Sequence, residues 1–262
     1  MKFINNSLGF WIKKFPIKTS KSHKYSRGQL VVVSGEKEMI GASMLSAEAA
    51  LRTGVGSVKA LCSKENFKIF ASNFPSLLKK EINSFNEFKK FVLQNKNSVY
   101  LIGPGAGATS TTLKKTTYLL KNVRYVILDA DALTSFKKKT KYLLKLLDEN
   151  KIITPHIKEF KTIFPQLKKI NNNKKLILSA IKQTKATIVL KGNNTLIANN
   201  KKILINKKTT SKDIKNWDSL AQVALIILIE RKFKIKFSVR EVGNLKNIGD
   251  MVKLIIVKKS KK

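Results

Sequence analysis

Carboxylates, arginines and cysteines are all scarce in this chain. Its 262 residues hold 16 Asp and Glu against 53 Lys and Arg, a formal net charge of +37 at pH 7. Only five of the cations are arginines and 48 are lysines. Scarce arginine argues against a dedicated nucleic-acid site, because bidentate contacts to bases and phosphates use the guanidinium fork and stacking uses exposed aromatics. The lysines are spread along the whole length among many Asn and Ile, which reads as drift of surface positions toward Lys, the pattern of AT-rich genomes. Non-specific attraction to polyanions follows from such a charge in any case. The lone cysteine, Cys62, excludes an internal disulfide framework and a cysteine-based zinc site. It lies in the apolar run Val58–Cys62 and is expected to be a small buried hydrophobe. Long apolar runs are missing too. The longest, Leu220–Ile229, is interrupted by Gln222 and is too short to span a bilayer. The opening MKFINNSLGFWIKKFP mixes Asn and Lys into its apolar residues and so lacks the uninterrupted core of a signal peptide. No membrane partner, no specific nucleic acid and a reduced, cytoplasmic setting are the expectations.

What is present is an ordinary 43% of hydrophobic residues, enough for one sizeable core, and one domain over residues 1–262 is expected. Residues 1–20 read as a lead-in carrying Phe10, Trp11 and Phe15, and residues 258–262 as a solvated basic tail. No internal repeat or linker divides them. Branched apolar runs recur at Gln29–Ser34, Gly56–Cys62, Val99–Ile102, Val126–Leu128, Ile152–Ile153 and Ala186–Lys191. Helical periodicity lies between several of them. A helix opens near Ala42 with Met44, Leu45, Ala49 and Leu51 on its apolar face and stops at Thr53-Gly54. Another, Ser84–Gln94, presents Phe85, Phe88, Phe91 and Val92. A third covers Ser110–Leu120. This alternation predicts a doubly wound α/β fold with a mainly parallel sheet. Leu196–Ala198 and Ile203–Ile205 read as a hairpin turning on Asn199-Asn200, Ser219–Ile229 as an apolar helix, and Lys232–Lys262 as helical.

Polar groups gather where the apolar runs stop, and the C-terminal ends of parallel strands are where such folds bind ligands. Val126–Leu128 ends in Asp129-Ala-Asp131, and Ile152–Ile153 ends in Thr154-Pro155-His156, with Glu159 one helical turn beyond. Asp129 fits either a helix N-cap or a ligand contact. The turn Gly103-Pro-Gly105-Ala-Gly107 between strand and helix lets backbone approach a ligand. The helix start near Gly41-Ala42 suits an anion or polar group. Gly192-Asn193-Asn194-Thr195 follows the last strand, and Asp218 stands just before the apolar helix, as N-cap or as base.

Seven of these stretches, in order, resemble the ADP/ATP-dependent NAD(P)H-hydrate dehydratases of the ribokinase-like superfamily. They are HKYSRG (His23–Gly28), VVVSG with the following GA (Val31–Ala42), EAALRTGVGSV (Glu48–Val58), IGPGAG (Ile102–Gly107), VILDADAL (Val126–Leu133), ITPHIKEF (Ile153–Phe160) and VLKGNNTLIA (Val189–Ala198). The resemblance implies a three-layer αβα sandwich; the family often carries an epimerase domain ahead of this one, which a chain of 262 residues is expected to be too short to include. It implies dehydration of hydrated NADH or NADPH, with ADP as co-substrate and Mg²⁺. A phosphoryl group passes to the ring hydroxyl and then leaves as phosphate. Ala42, Gly105, Gly107 and His156 would contact the hydrated nucleotide, and Asp129, Asp131 and Glu159 would supply polar and Mg²⁺-associated contacts. Lys191, Gly192, Asn193, Asn194, Thr195 and Trp217 would line the ADP site, and Asp218 would be the base. A homo-oligomer and a separate epimerase are implied as partners.

One segment departs from the family pattern. Before its catalytic helix the family carries a glycine-rich loop, such as A-T-G-G-T-G-D, whose amides form an anion hole for the moving phosphoryl group. Here residues 206–218 contain no glycine, and Trp217 precedes Asp218. Lys212 and Lys215 are the charged donors available to replace the amides. Besides an active dehydratase, two readings stay open: a catalytically degenerate nucleotide-binding relative, and a ribokinase-like small-alcohol kinase. The same missing loop counts against the kinase.

Overall fold

Three consecutive valines, Val31–Val33, set the architecture, because each is buried and they face alternate sides of the sheet. In the computed structural model the described residues are 6, 9, 12, 15, 19–20, 22–24, 26–35, 37–199, 210 and 219–260. They fall in two compact units, Met1–Asn200 and Lys201–Lys262.

The first unit holds β1 (Gln29–Val33), α1 (Ile40–Arg52), β2 (Ser57–Cys62), α2 (Lys64–Asn73), β3 (Leu78–Glu81), α3 (Phe85–Gln94), β4 (Val99–Ile102), α4 (Ser110–Asn122) and β5 (Tyr125–Leu128). It continues with α5 (Ala130–Thr134), α6 (Thr140–Leu146), β6 (Lys151–Ile153), α7 (Ile157–Ile163), α8 (Asn173–Ala180), β7 (Thr187–Leu190) and β8 (Leu196–Ala198). One sheet runs in the order β3-β2-β1-β4-β5-β6-β7-β8. Every neighbouring pair is parallel except β7 with β8. The expected α/β class and parallel sheet are therefore seen. The chain winds outward from β1 through β2 and β3, then crosses back to β4 on the other side. That crossing makes β1/β4 the topological switch point, beside which open α/β sheets place ligands.

Both faces of β1 are covered, which is why its sequence is continuously apolar rather than alternating. Leu30 and Val32 join one buried cluster with Val58, Ala60, Cys62, Phe70 and Leu77. Val31 and Val33 join the larger one, with Phe88, Tyr100, Ile102, Leu128, Phe160 and Ile188. Cys62 is buried as expected, and that burial, helped by the nearby Glu81 carboxylate, pushes its thiol up to about 11. Most helix starts have a side chain satisfying the free amides of the first turn. Ser63, Ser84, Thr109 and Asn172 accept from the backbone N–H three residues on. On α3, Phe88, Phe91 and Val92 are buried, as the periodicity predicts.

Helix α1 corrects one expectation. It opens at Ile40, and Met44 and Leu51 pack against the core as expected, but its fully buried residues are Ser43 and Ala47, whereas Leu45 is 67% exposed and Ala49 is exposed. Small residues let the helix lie close to the sheet. Ser43 is tolerated inside because its hydroxyl donates to the Ile40 carbonyl and accepts from the Gly35 amide. Strand β8 joins the sheet by a pairing that the sequence did not suggest. Its partner is β7, in antiparallel register Leu190↔Leu196 and Ile188↔Ala198, so the turn of this hairpin is 191–195. The expected pairing with 203–205 falls outside the described residues.

The second unit contains α9 (Ser219–Phe233), α10 (Val239–Gly243) and α11 (Ile248–Ser260), in line with the helical reading of this region. Ser238 and Glu241 form a reciprocal capping box at the start of α10. No helix among the described residues is long and apolar enough to cross a membrane.

Candidate functional site

Five neighbouring parallel strands, β1, β4, β5, β6 and β7, bring their C-terminal ends to one edge of the sheet. The loops leaving those ends, with the first turns of the helices that follow them, carry every candidate site residue of the first unit. Asn66 Nδ2 ties the first of these loops down, donating to the Gly35 carbonyl and Ser34 Oγ. Ala42 is exposed in the first turn of α1.

The glycine-rich turn after β4 is packed tightly. Gly105 is buried at φ +67°, and a Cβ there would run into the Met39 carbonyl; Gly103, at φ +125°, abuts the Asp129 carbonyl. Only glycine meets both the left-handed backbone and the close approach. Gly107 donates its amide to Asp131 Oδ2 at 2.9 Å. Asp131 thus ties the turn after β4 to the end of β5.

Asp129 and Asp131 point different ways because Ala130 between them takes φ +42°. Although Asp129 occupies the N-cap position of α5, its side chain makes no capping bond. Instead Oδ1 accepts from Thr154 Oγ1 at 2.8 Å and from Lys191 Nζ at 2.5 Å. The N-cap role open to Asp129 is therefore not taken by its side chain, and the carboxylate is turned toward the strand ends. Its Oδ2 has no partner among the described residues.

His156 is the N-cap of α7. Its Nδ1 accepts from the backbone amides of Lys158 and Glu159, both at 3.1 Å, while Glu159 Oε2 accepts from the His156 amide at 2.8 Å. Because Nδ1 accepts these bonds, the neutral ring carries its proton on Nε2. Nε2 stands 3.5 Å from Glu159 Oε1, with the ring half exposed and the glutamate buried. The expected meeting of His156 and Glu159 is seen. Both Glu159 oxygens are occupied in holding the histidine, so its direct work is bracing.

Lys191 continues β7 past its formal end. Its amide donates to the Pro155 carbonyl at 2.9 Å, and it pairs across an isolated parallel bridge with His156. Gly192, Asn193, Asn194 and Thr195 follow as an exposed turn, with Thr195 Oγ1 donating to the Gly192 carbonyl. Ala42, Gly105, Gly107, Asp129, Asp131, His156, Glu159 and Lys191–Thr195 are all therefore at the same strand-end edge. Trp217 and Asp218 lie outside the described residues. Thr154 is the side chain that sequence reasoning left without a role. Its only signal was a hydroxyl at the end of β6, one strand away from each member of the pair that it touches.

This chemistry suits a phosphate-bearing ligand that brings its own cation. The edge offers an ammonium, a turn of exposed amides and carboxamides, and a carboxylate whose second oxygen has no partner among the described residues. No group of three or more His, Cys, Asp or Glu capable of holding a metal by itself occurs among the described residues. Mg²⁺ commonly binds through one or two carboxylates plus the substrate's phosphates, and Asp129 fits that share.

Strand order and strand-end loops define a ribokinase-like α/β protein. A ribokinase-like superfamily protein of Enterococcus faecalis superposes with a TM-score of 0.57 at 23% identity, over 70% of this chain and 64% of that one. The family model described as NAD(P)H-hydrate dehydratase matches residues 30–216, and the chain belongs to that family. The chain is 33% identical over 135 residues to the bifunctional NAD(P)H-hydrate repair enzyme of Escherichia coli, covering 50% of this chain and 24% of the relative. It is 30% identical over 124 residues to the ADP-dependent (S)-NAD(P)H-hydrate dehydratase of Staphylococcus aureus, covering 46% and 44%. The match thus spans less than half the length of these curated relatives. The ADP/ATP-dependent NAD(P)H-hydrate dehydratase of Bacillus subtilis, co-crystallised with ATP and Mg²⁺, aligns at TM-score 0.54 and 26% identity over 70% of this chain and 65% of that one.

Proposed function

We propose that the chain repairs nicotinamide nucleotides, dehydrating hydrated NADH and NADPH at the expense of ADP. Supporting this most directly is Lys191, bridged to His156 and opening the exposed turn 191–195, within the family-matched segment. His156, Ala42 and Gly105 contact the hydrated dinucleotide, and Lys191–Thr195 with Trp217 hold the ADP. Asp129, Asp131 and Glu159 keep these loops in register, and Asp129 would also share Mg²⁺ with the phosphates. When bound, the cation neutralises phosphate charge. Asp218 removes the proton from the ring hydroxyl, whose oxygen attacks the terminal phosphorus of ADP. The P–O bond to AMP breaks. The new phosphate ester then leaves as inorganic phosphate while the ring loses a proton, restoring the dihydropyridine. Hydroxide leaves poorly and phosphate leaves well, which gives the phosphoryl transfer its purpose. Positioning and charge stabilisation are the protein's contribution.

Mixing the protein with hydrated NADH, ADP and Mg²⁺ should restore absorbance at the dihydropyridine band. Asp218→Asn should abolish the recovery, and a parallel arm with ATP decides the phosphoryl donor. The absence of glycine from residues 206–218 favours a second reading, a nucleotide-binding relative without turnover. Loss of one oxyanion donor typically costs about 10²–10³ in rate. Measurable ADP binding with no recovery of absorbance would decide for that second reading. We place the activity in the cytoplasm, in a homo-oligomer, with a separate epimerase supplying the correct epimer.

A further inference from the structure

Three strands meet on one oxygen atom. Oδ1 of Asp129, at the end of β5, accepts from Thr154 Oγ1 at the end of β6 and from Lys191 Nζ at the end of β7. We propose that Thr154 is a positioning residue of the nucleotide site, acting through Asp129 to hold the Lys191 ammonium where the diphosphate arrives. The inference rests on the reading of 191–195 as the ADP turn.

The backbones at both ends of this chain of contacts are already fixed. The Thr154 amide donates to the Leu128 carbonyl at 3.0 Å, and the Lys191 amide to the Pro155 carbonyl at 2.9 Å. What the backbone leaves loose is the four-carbon stem of Lys191, whose rotamers cost entropy to order. Asp129 gathers the head of that stem, but a carboxylate turns broadly about its last torsion. The Thr154 hydroxyl stops this rotation by selecting Oδ1. That hydroxyl also lies 3.3 Å from the Leu128 carbonyl. It has one proton, and the shorter bond to the charged oxygen is the stronger. The Lys191 side chain nevertheless stays 41% exposed. An ammonium has three N–H donors, and Asp129 is the only partner seen for them among the described residues. The result is an oriented cation open to solvent, which an incoming phosphate meets with the ordering cost already met by the fold.

Thr154→Val removes the hydroxyl at nearly constant shape, Thr154→Ser keeps it, and Asp129→Asn weakens the clamp independently should the valine variant fold poorly. Two readouts separate the inference from the functional reading beneath it. In ligand-free protein, limiting acetylation by an N-hydroxysuccinimide ester, quantified by peptide mass spectrometry, reports how freely the Lys191 amine reacts. Lys191 should be modified about threefold faster or more in Thr154→Val and Asp129→Asn, and at the original rate in Thr154→Ser. Calorimetric titration with ADP and Mg²⁺ should show the Kd raised about five- to tenfold in Thr154→Val and restored in Thr154→Ser, with Tm unchanged. An unchanged acetylation rate in both clamp variants overturns the proposal, whatever ADP does. Faster acetylation with an unaltered Kd confines Thr154 to a structural part and also overturns it. A wild-type protein that fails to bind ADP overturns the nucleotide reading itself, while the acetylation rates still decide whether the clamp exists.

Discussion

Lys151 and Lys191 show how differently two lysines can be used. Lys151 is buried to 2% and donates to the carbonyls of Val123 and Arg124, both at 2.9 Å, and to Asp148 Oδ2 at 3.1 Å. A buried ammonium is tolerable because its three N–H donors are matched by three acceptors. Replacing it with Met leaves two inward carbonyls unpaired. Lys151→Met should therefore destabilise by about 3 kcal/mol and lower Tm by roughly 6–12 °C. The exposed Lys141→Met should move it by less than about 2 °C, and thermal unfolding that fails to separate the two would remove Lys151 from the core's account. In the sequence Lys151 is one of 48 lysines with nothing to mark it. Asp129, Asp131, His156 and Lys191 were legible because strand ends announce a ligand edge. The directions of the two aspartates were not, since they depend on φ +42° at Ala130, which no composition or period encodes.

Among the elements, the legible ones are those whose periodicity comes from burial. Val31–Val33, Val99–Ile102 and the aromatic face of α3 are examples. Strand β3 was missed because it reads Leu78-Lys79-Lys80-Glu81, an edge strand with partners on one side and charges toward water. The contact face of α1 was only half legible: Met44 and Leu51 pack against the core as expected, but the fully buried positions are the small Ser43 and Ala47. In the second unit, carboxylates hold the ends of helices. Glu230 on α9 is kept below its ordinary value of 4.5, first by the Phe237 amide and then by Lys236; Glu241 on α10 is lowered by Lys258 and by the Ser238 amide. A carboxyl lowered in the folded state stabilises it above the unfolded pKa and loses that contribution as pH falls through the folded one. Helical ellipticity should accordingly decline as the solution is taken from about pH 5 to pH 3. The Glu230→Gln, Glu241→Gln double variant should start lower and decline less over that window. Parallel titration curves for the two proteins would show that these caps do not govern the acid response.

For the molecule as a whole, a formal charge of +37 sets the electrostatic climate. Like charges at this density repel one another in the compact state, and the repulsion is screened once the Debye length falls below their spacing. Raising NaCl from about 20 to about 300 mM should therefore raise Tm by several degrees. A Tm that fell with salt would mean that the 16 carboxylates, in pairs such as Asp129 with Lys191, outweigh the unpaired lysines. The outermost strand on one side has a consequence of its own. Lys80 faces outward from β3, where an unprotected strand would offer its free amides and carbonyls to a neighbouring molecule. Among the described residues nothing pairs with that border, and every copy carries Lys79 and Lys80 along it. Two copies approaching edge to edge would set like charges against each other, which disfavours the zipping of their backbones there.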